Sequence, residues 1–519
     1  MPQKAIIAIV VIKSIKVYKY KLNQVKMIVL NLNYKRLLVS LLTVALVSCS
    51  NPWDDREDIN DPNLGFNLSE AITNTSETSQ FGKLLVQTGY DKVLAASKTY
   101  TVFAPTNEAM AQVDGAILND PGAVKQFVAN HIALIAYSSV RSGEQTQIKM
   151  FSDKYLTFKG TTMIDDATIV TADHYAANGV FHVINKALTP KLNIWQYIIS
   201  QAGVSATSDF LLSLKDFSIY KADIDTKALT VERGIGYLAD SLSNSYLKNV
   251  YNLNNEKNSY TLFLMQDAGY NAEVDKMKPY LIKTSNVPTT DSTAIYSRYF
   301  TLRDMAFPKK YELNELPATL TSRFGVEVPI DKAQIVGKPI RLSNGIVYIM
   351  KKVDIPLTKR LVTTKIEGEK NISYFNGGRG AIYYRDKKDP FGVLFNDVLV
   401  QNPGTAMFML DYDAKDLYST TYNVSWRAIN DFQTNAVLQS LRIAGKYAIV
   451  NGIRTVSDGV TTLGPISVQP NFYEPVYIGE FTLTKARNID LISLIAANTT
   501  VNGNNSLTLD YLKFVPVLK

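Results

Sequence analysis

Two stretches of this 519-residue chain repeat one another's landmarks in the same order, which restricts the fold more than any other feature. Asn67-Leu-Ser-Glu-Ala-Ile72 is echoed by Asn193-Ile-Trp-Gln-Tyr-Ile198, and Thr78-Ser-Gln-Phe81 by Thr207-Ser-Asp-Phe210. Tyr100-Thr-Val-Phe103 returns as Tyr260-Thr-Leu-Phe263, and Ala177-Asn-Gly-Val-Phe-His-Val183 as Ser343-Asn-Gly-Ile-Val-Tyr-Ile349. One architecture must therefore be built twice. The Phe markers are 22 residues apart in the first copy and 53 in the second, so the second holds 31 extra residues within 215–258, rich in Asn, Ser, Tyr and Asp. Long insertions without core duty often carry contacts.

Tyr100 to Met110 reads as a short strand stopped by Pro105, with Thr106 capping a helix and Glu108 in its first turn, near the positive end of the dipole. Asn178-Gly179 reads as a turn feeding a strand. In this order the landmarks of residues 67–190 resemble the fasciclin I domain. Residues 191–357 resemble a degenerate copy, which has Leu264-Met-Gln-Asp267 where the first has Ala-Pro-Thr. Pro356-Leu-Thr-Lys-Arg360 offers no apolar face and reads as a linker.

From residue 362 to 519 the texture changes to short β-rich runs divided by Gly, Asn, Asp and Pro, the pattern of an all-β sandwich. Ile366-Glu-Gly-Glu369 at the start, Tyr422-Asn-Val-Ser-Trp-Arg427 in the middle and Leu509-Asp-Tyr-Leu-Lys-Phe-Val-Pro516 at the end resemble the jelly rolls of carbohydrate-binding modules. The expected fold class is α+β, with two fasciclin-like domains followed by that jelly roll.

Cys49 is the sole cysteine, so no disulfide within the chain helps hold these domains. It ends an apolar run behind Lys35-Arg36, the pattern of a bacterial lipoprotein signal cleaved and lipidated at the cysteine. The apolar run from Leu37 to Val47 is too short for the roughly 20 residues that span a bilayer. Residues 27–49 alone make a complete signal, so Met27 serves as a start as well as Met1. The leader is thus 1–48 and a tether occupies 49–66. The acidic cluster Asp54-Asp-Arg-Glu-Asp58 resembles the export signal of Bacteroidetes surface lipoproteins, which implies a lipid-anchored place on the outer membrane.

The leader also explains the charge. Residues 1–48 hold eight Lys/Arg and no acid; without them the 55 basic residues become 47, equal to the 47 acidic ones. The folded part is neutral, and nucleic acid is excluded as the expected partner.

The chain has three histidines, His131, His174 and His182, all in the first copy. The second copy places Tyr348 where the first has His182, an exchange that a catalytic or metal role would not survive. A packed, hydrogen-bonded imidazole is expected instead. Asn130 precedes His131 where fasciclin domains carry a Tyr-His adhesion motif. Nucleophile-elbow, phosphate-loop and zinc patterns are missing, and Asn376-Gly-Gly-Arg-Gly380 reads as a turn. The expectation is no enzyme and no cofactor.

Two binding ideas fall in the last domain. By resemblance to calcium-containing sugar-binding jelly rolls, Glu367, Glu369 and Asp510 would clamp a structural calcium between the first and last strands, since hard oxygen ligands suit that ion. Solvated carboxylates are the plainer reading. Trp426, Tyr383, Tyr384, Phe472 and Tyr473 supply rings for a sugar platform. Trp426 shares a strand face with Tyr422 and Val424, which favours core packing, whereas Phe472-Tyr473 sits in loop-like sequence. The whole build resembles accessory lipoproteins of glycan-uptake systems, implying glycan as ligand and a TonB-dependent transporter with its lipoprotein lid as partners. An adhesion or scaffold lipoprotein is the alternative.

Overall fold

The computed structural model describes residues 62–96, 99–139, 145–215, 219, 243–283, 291–444, 446–451, 453–457, 460–499, 501 and 505–519. Cys49, the leader, the acidic cluster and most of the second-copy insertion lie outside the described residues.

The first domain opens on the helix Leu68–Asn74, which Asn67 and Glu70 close with a reciprocal capping box. Its strands are β1 (Tyr100–Pro105), β2 (Ile132–Ala133), β3 (Thr146–Lys149), β4 (Tyr155–Lys159), β5 (Met163–Ile164), β6 (Ala167–Ala176) and β7 (Gly179–Ile184). They form one sheet in the order β2-β1-β7-β6-β5-β4-β3, with β1 and β7 parallel. Side chains along β1 alternate between two cores. Val102 and Ala104 pack with Phe81, Leu85 and Phe127, whereas Phe103 packs on the other face with Ile148 and Phe158. As the sequence predicts, Thr106 caps the short helix Asn107–Met110, its hydroxyl accepting from Ala109 N.

The second domain repeats the central pairing. After β8 (Tyr260–Met265) and β9 (Ala306–Phe307) come β10 (Thr319–Thr321), β11 (Glu327–Pro329), β12 (Ile340–Leu342) and β13 (Gly345–Met350). The register of β8 on β13, Tyr260 opposite Gly345 through Met265 opposite Met350, reproduces that of β1 on β7. Glycine is required at the start of both return strands. A Cβ on Gly179 would stand 2.4 Å from Tyr100 O, and one on Gly345 2.1 Å from Tyr260 O. The preceding asparagines also match, with Leu68 N donating to Asn178 Oδ1 (2.8 Å) and Ile194 N to Asn344 Oδ1 (2.9 Å).

The named strands of the last domain pair only in antiparallel fashion. Its strands are β14 (Thr364–Glu367), β15 (Ser373–Phe375), β16 (Ile382–Lys388), β17 (Leu394–Val400), β18 (Met409–Leu417), β19 (Thr421–Arg427), β20 (Val437–Ala444), β21 (Lys446–Val450), β22 (Ile453–Ser457), β23 (Thr461–Val468), β24 (Val476–Thr482), β25 (Arg487–Ala496), β26 (Leu507–Leu509) and β27 (Tyr511–Pro516). A four-stranded sheet β14-β27-β19-β24 faces a five-stranded sheet β15-β18-β25-β20-β23, with the ribbon β16-β17-β26 and the hairpin β21-β22 alongside. Tyr422, Val424 and Trp426 of β19 are buried between half-exposed neighbours, which is the alternation of a strand with one face on a core.

Residues 356–360 do not form a free linker. Leu357–Arg360 is a helical turn, and the Arg360 side chain, 1% exposed, pairs with Glu273 at 2.8 Å and lies 3.7 Å from Asp304. Burial pushes the Asp304 carboxyl up, against the pull of Arg303 and Arg360. Arg303 crosses to Asp416 of the sandwich at 3.1 Å, and Tyr418 OH donates to Arg360 O at 3.2 Å. Ser419 N donates to Tyr280 O (2.7 Å) and Ala486 N to Ile282 O (2.8 Å), so the second domain and the sandwich share one continuous core.

Candidate functional site

Arg427 ends β19 and gathers one end of the sandwich. Its Nη1 donates to Asp510 Oδ2 (2.6 Å), its Nη2 to Asp389 Oδ2 (3.1 Å) and its Nε to Tyr473 O (2.7 Å). The guanidinium lies 4.7 Å from the centre of the Phe395 ring. One arginine thus ties the middle strand to the closing strand, to the 389–393 turn and to the Phe472-Tyr473 loop. Asp389 Oδ1 shapes that turn by accepting from Phe391 N and Val393 N.

Beside this hub lies a cleft of about 590 Å³, lined by Glu367, Glu369, Asn396, Arg427, Asp510 and Tyr511 among others. Gly368 brings the first and last strands together: its N–H donates to Asp510 O at 2.6 Å, and a Cβ there would stand 1.9 Å from Leu509 O. Glu369 Oε2 is buried without a hydrogen-bond partner among the described residues. Phe391 and Leu394, 80% and 79% exposed, stand at the same end, and Phe472 is 45% exposed. Polar acceptors within, apolar groups at the rim: this cleft can accept hydroxyl protons and cover a ring face.

The three carboxylates named from the sequence therefore line one cleft. Glu367 Oε1 pairs with the half-exposed Lys365 Nζ at 2.9 Å and Asp510 with Arg427 at 2.6 Å. Among the described residues no three His, Cys, Asp or Glu side chains are grouped to hold a metal. Burial pushes the Asp510 carboxyl up while Arg427 pulls it down.

The aromatic platform divides. Trp426 is 1% exposed inside the sandwich and is removed from any surface role, because the alternation that buries Tyr422 and Val424 buries it too. Tyr383 and Tyr384 are half exposed, but consecutive residues on β16 face opposite sides, so they form no single surface. Tyr384 OH donates to Asn371 Oδ1 at 2.8 Å; Arg385, on Tyr383's face, is held by Asp397 and Asp431. Phe472 and Tyr473 do reach the Arg427 end. Arg427 and Asp389 were not singled out in the sequence; Arg427 falls in phase with the polar positions Asn423 and Ser425 of its strand, so the alternation gave no signal for it.

His182 and His131 are buried and held by backbone partners. His182 Nε2–H donates to Tyr137 O (3.0 Å) and its Nδ1 accepts from Asp173 N (3.1 Å), with the ring stacked on Phe103 at 5.3 Å. Tyr348 stacks on Phe263 at 5.5 Å, and its hydroxyl donates to Tyr311 O at 2.9 Å. Thr101 and Thr261 then accept from Tyr137 N and Tyr311 N in turn. Imidazole and phenol thus perform one task, to satisfy the same buried carbonyl. His131 is fully buried, its Nδ1–H donating to Phe127 O and its Nε2 accepting from Leu188 N, both at 2.8 Å. Burial lowers its pKa to about 4, so it is neutral at physiological pH.

Residues 76–190 match the family model of the Fasciclin domain. Protein sll1483 of Synechocystis is 30% identical over 112 residues, 20% of this chain and 61% of that protein. The transforming growth factor-beta-induced protein ig-h3 of Oryctolagus cuniculus is 30% identical over 132 residues, 23% of this chain and 18% of that protein. The chain thus spans less than two thirds of the curated relatives it matches. Among solved structures, the FAS1 domain pair of the insect cell adhesion molecule Fasciclin I is similar over 55% of this chain and 99% of its own, at 15% identity and TM-score 0.22. A carbohydrate-binding module of Cellvibrio mixtus lichenase 5A, solved with cellotriose, is similar over 30% of this chain and 98% of its own, at 13% identity and TM-score 0.20.

Proposed function

We propose that this chain is a non-catalytic surface lipoprotein, anchored through Cys49, whose sandwich binds glycan as an accessory subunit of a TonB-dependent nutrient-uptake complex. The observation that carries the binding role is the cleft beside Arg427. Glu369, Asn396 and Tyr511 line it with hydrogen-bonding groups, and the exposed apolar rim suits the face of a pyranose ring. Arg427 holds these loops in place before any ligand arrives, which lowers the ordering cost of binding.

Catalysis has weak support at this cleft. Glycoside hydrolysis requires two carboxyls free to act as acid and as base or nucleophile. Arg427 and Lys365 hold Asp510 and Glu367 in ion pairs, and among the described residues the buried imidazoles of His131 and His182 are committed to backbone partners. The anchor rests on the signal ending at Cys49, and the acidic residues 54–58 support the outer surface.

Purified full-length chain applied to a broad panel of neutral and acidic glycans should retain at least one polysaccharide class and release no shorter products from it. Silence across the panel overturns the glycan role, and product release overturns the non-catalytic one. Stable recovery of a protein partner from outer membranes without glycan binding would favour an adhesion or scaffold lipoprotein. Cys49→Ala should release the chain from the membrane fraction.

A further inference from the structure

A second cleft, of about 400 Å³, lies between the two α+β domains and is unrelated to the sandwich. That volume falls within the roughly 300–1,000 Å³ of small-molecule sites. Its two walls differ in chemistry. The first domain contributes the β3–β4 hairpin, which presents Gln145, Gln147, Tyr155 and Thr157; Gln147 Nε2 donates to Thr157 Oγ1 across the strands at 2.6 Å. The second domain contributes Lys257, Lys310 and Arg341.

The cationic wall is not neutralised. Lys310 and Arg341 share one carboxylate, Glu312, at 3.4 and 2.8 Å. Lys257 is exposed and has no carboxylate partner among the described residues. The two carboxylates that do line the cleft are already engaged: Asp165 with Lys191 at 2.8 Å, and Glu256 with Lys154. Lys154 is the pin between the domains. Its side chain is 9% exposed, and its ammonium reaches Glu256, Gln196 (3.0 Å) and Ser343 (3.3 Å) across the interface. Lys154 also lines a neighbouring groove of about 660 Å³.

We propose that this cleft binds a uronate-bearing oligosaccharide, with its carboxylates on Lys257, Lys310 and Arg341 and its hydroxyls on the amide and hydroxyl wall of the hairpin. A neutral sugar would leave the cationic wall unanswered, and a compact inorganic anion would leave the opposite wall unused. A ligand with both groups bridges the domains.

The test is calorimetric titration of the full chain at low salt with trigalacturonate, with galactotriose as the uncharged counterpart and inorganic phosphate as the bare anion. Trigalacturonate should bind at least 10-fold more tightly than either. Lys257→Glu, on an exposed side chain with no ion pair to lose, and the double variant Lys257→Glu/Arg341→Glu should each weaken it at least 10-fold. Glu369→Gln, in the sandwich cleft, should leave it unchanged, so this site and the sandwich site fail separately. Equal affinity for galactotriose, preference for phosphate, absence of trigalacturonate binding, or unchanged affinity in the double variant would overturn the proposal.

Discussion

The two α+β domains share a backbone plan and differ in what surrounds it. In the first, the buried donor at the shared strand position is His182; in the second it is Tyr348, giving its proton to the equivalent carbonyl. The first meets its neighbour through the Lys154 ammonium and polar side chains, whereas the second is fused to the sandwich through the Arg360 cluster and a common core. What the plan conserves is the satisfaction of a buried carbonyl. Chemistry attached to an imidazole is not part of it.

The largest way to break this comparison is Arg360→Met. Removing this partner of the buried cluster leaves Glu273 with only the half-exposed Lys276 and Asp304 with Ser322 and the nearby Arg303, a loss of about 3 kcal/mol. Calorimetry should show the transition of the second domain and sandwich falling together, with that of the first domain unmoved. Two separated transitions for the second domain and sandwich in the native chain would contradict their fusion.

Acid should separate the copies next. The His131 pKa is lowered to about 4 in the folded state against about 6.5 unfolded, so its neutral form stabilises the fold above the unfolded value. That stability is lost as pH falls from about 6.5 toward 4, on the order of 3 kcal/mol in total. Burial lowers the His182 pKa as well, which adds in the same direction. The second domain has no histidine, and its buried Asp304 is shifted up, so that group's contribution is lost as pH rises, the opposite sign. Melting at pH 4.5 and 7 should therefore lower the first-domain transition selectively. Equal shifts in both transitions would contradict the assignment.

Smaller changes sharpen the match at single bonds. Tyr348→Phe removes the hydroxyl that serves Tyr311 O and should cost the second domain about 1–2 kcal/mol by denaturant unfolding. Thr106→Ala removes a helix cap and should cost about 1 kcal/mol. Gln266, at the same place in the second copy, makes no side-chain cap bond, and Gln266→Ala should stay within about 0.5 kcal/mol.

The repeat was legible in the sequence because its marks answer backbone demands. Gly179 and Gly345 stand where no Cβ fits, and the preceding asparagines hold the helix starts at Leu68 and Ile194. The burial of Trp426 was legible from alternation alone. The Arg427 hub was not, because its acids lie 38 and 83 residues away and meet it only through sheet order. Arg360 failed for the same reason. A Lys-Arg pair after proline looks solvated until the chain brings Glu273 and Asp304 to it. Glu367, Glu369 and Asp510 line one cleft, whereas the pairing of Glu367 with Lys365 and of Asp510 with Arg427 was not read from the sequence.

The central claim, that glycan binds at the Arg427 end of the sandwich, is tested most directly by titrating the retained glycan against the native chain and Glu369→Gln. Loss of the Glu369 charge from the cleft wall should weaken binding at least 10-fold, about 1.4 kcal/mol or more. Equal affinity in the two proteins would contradict the account.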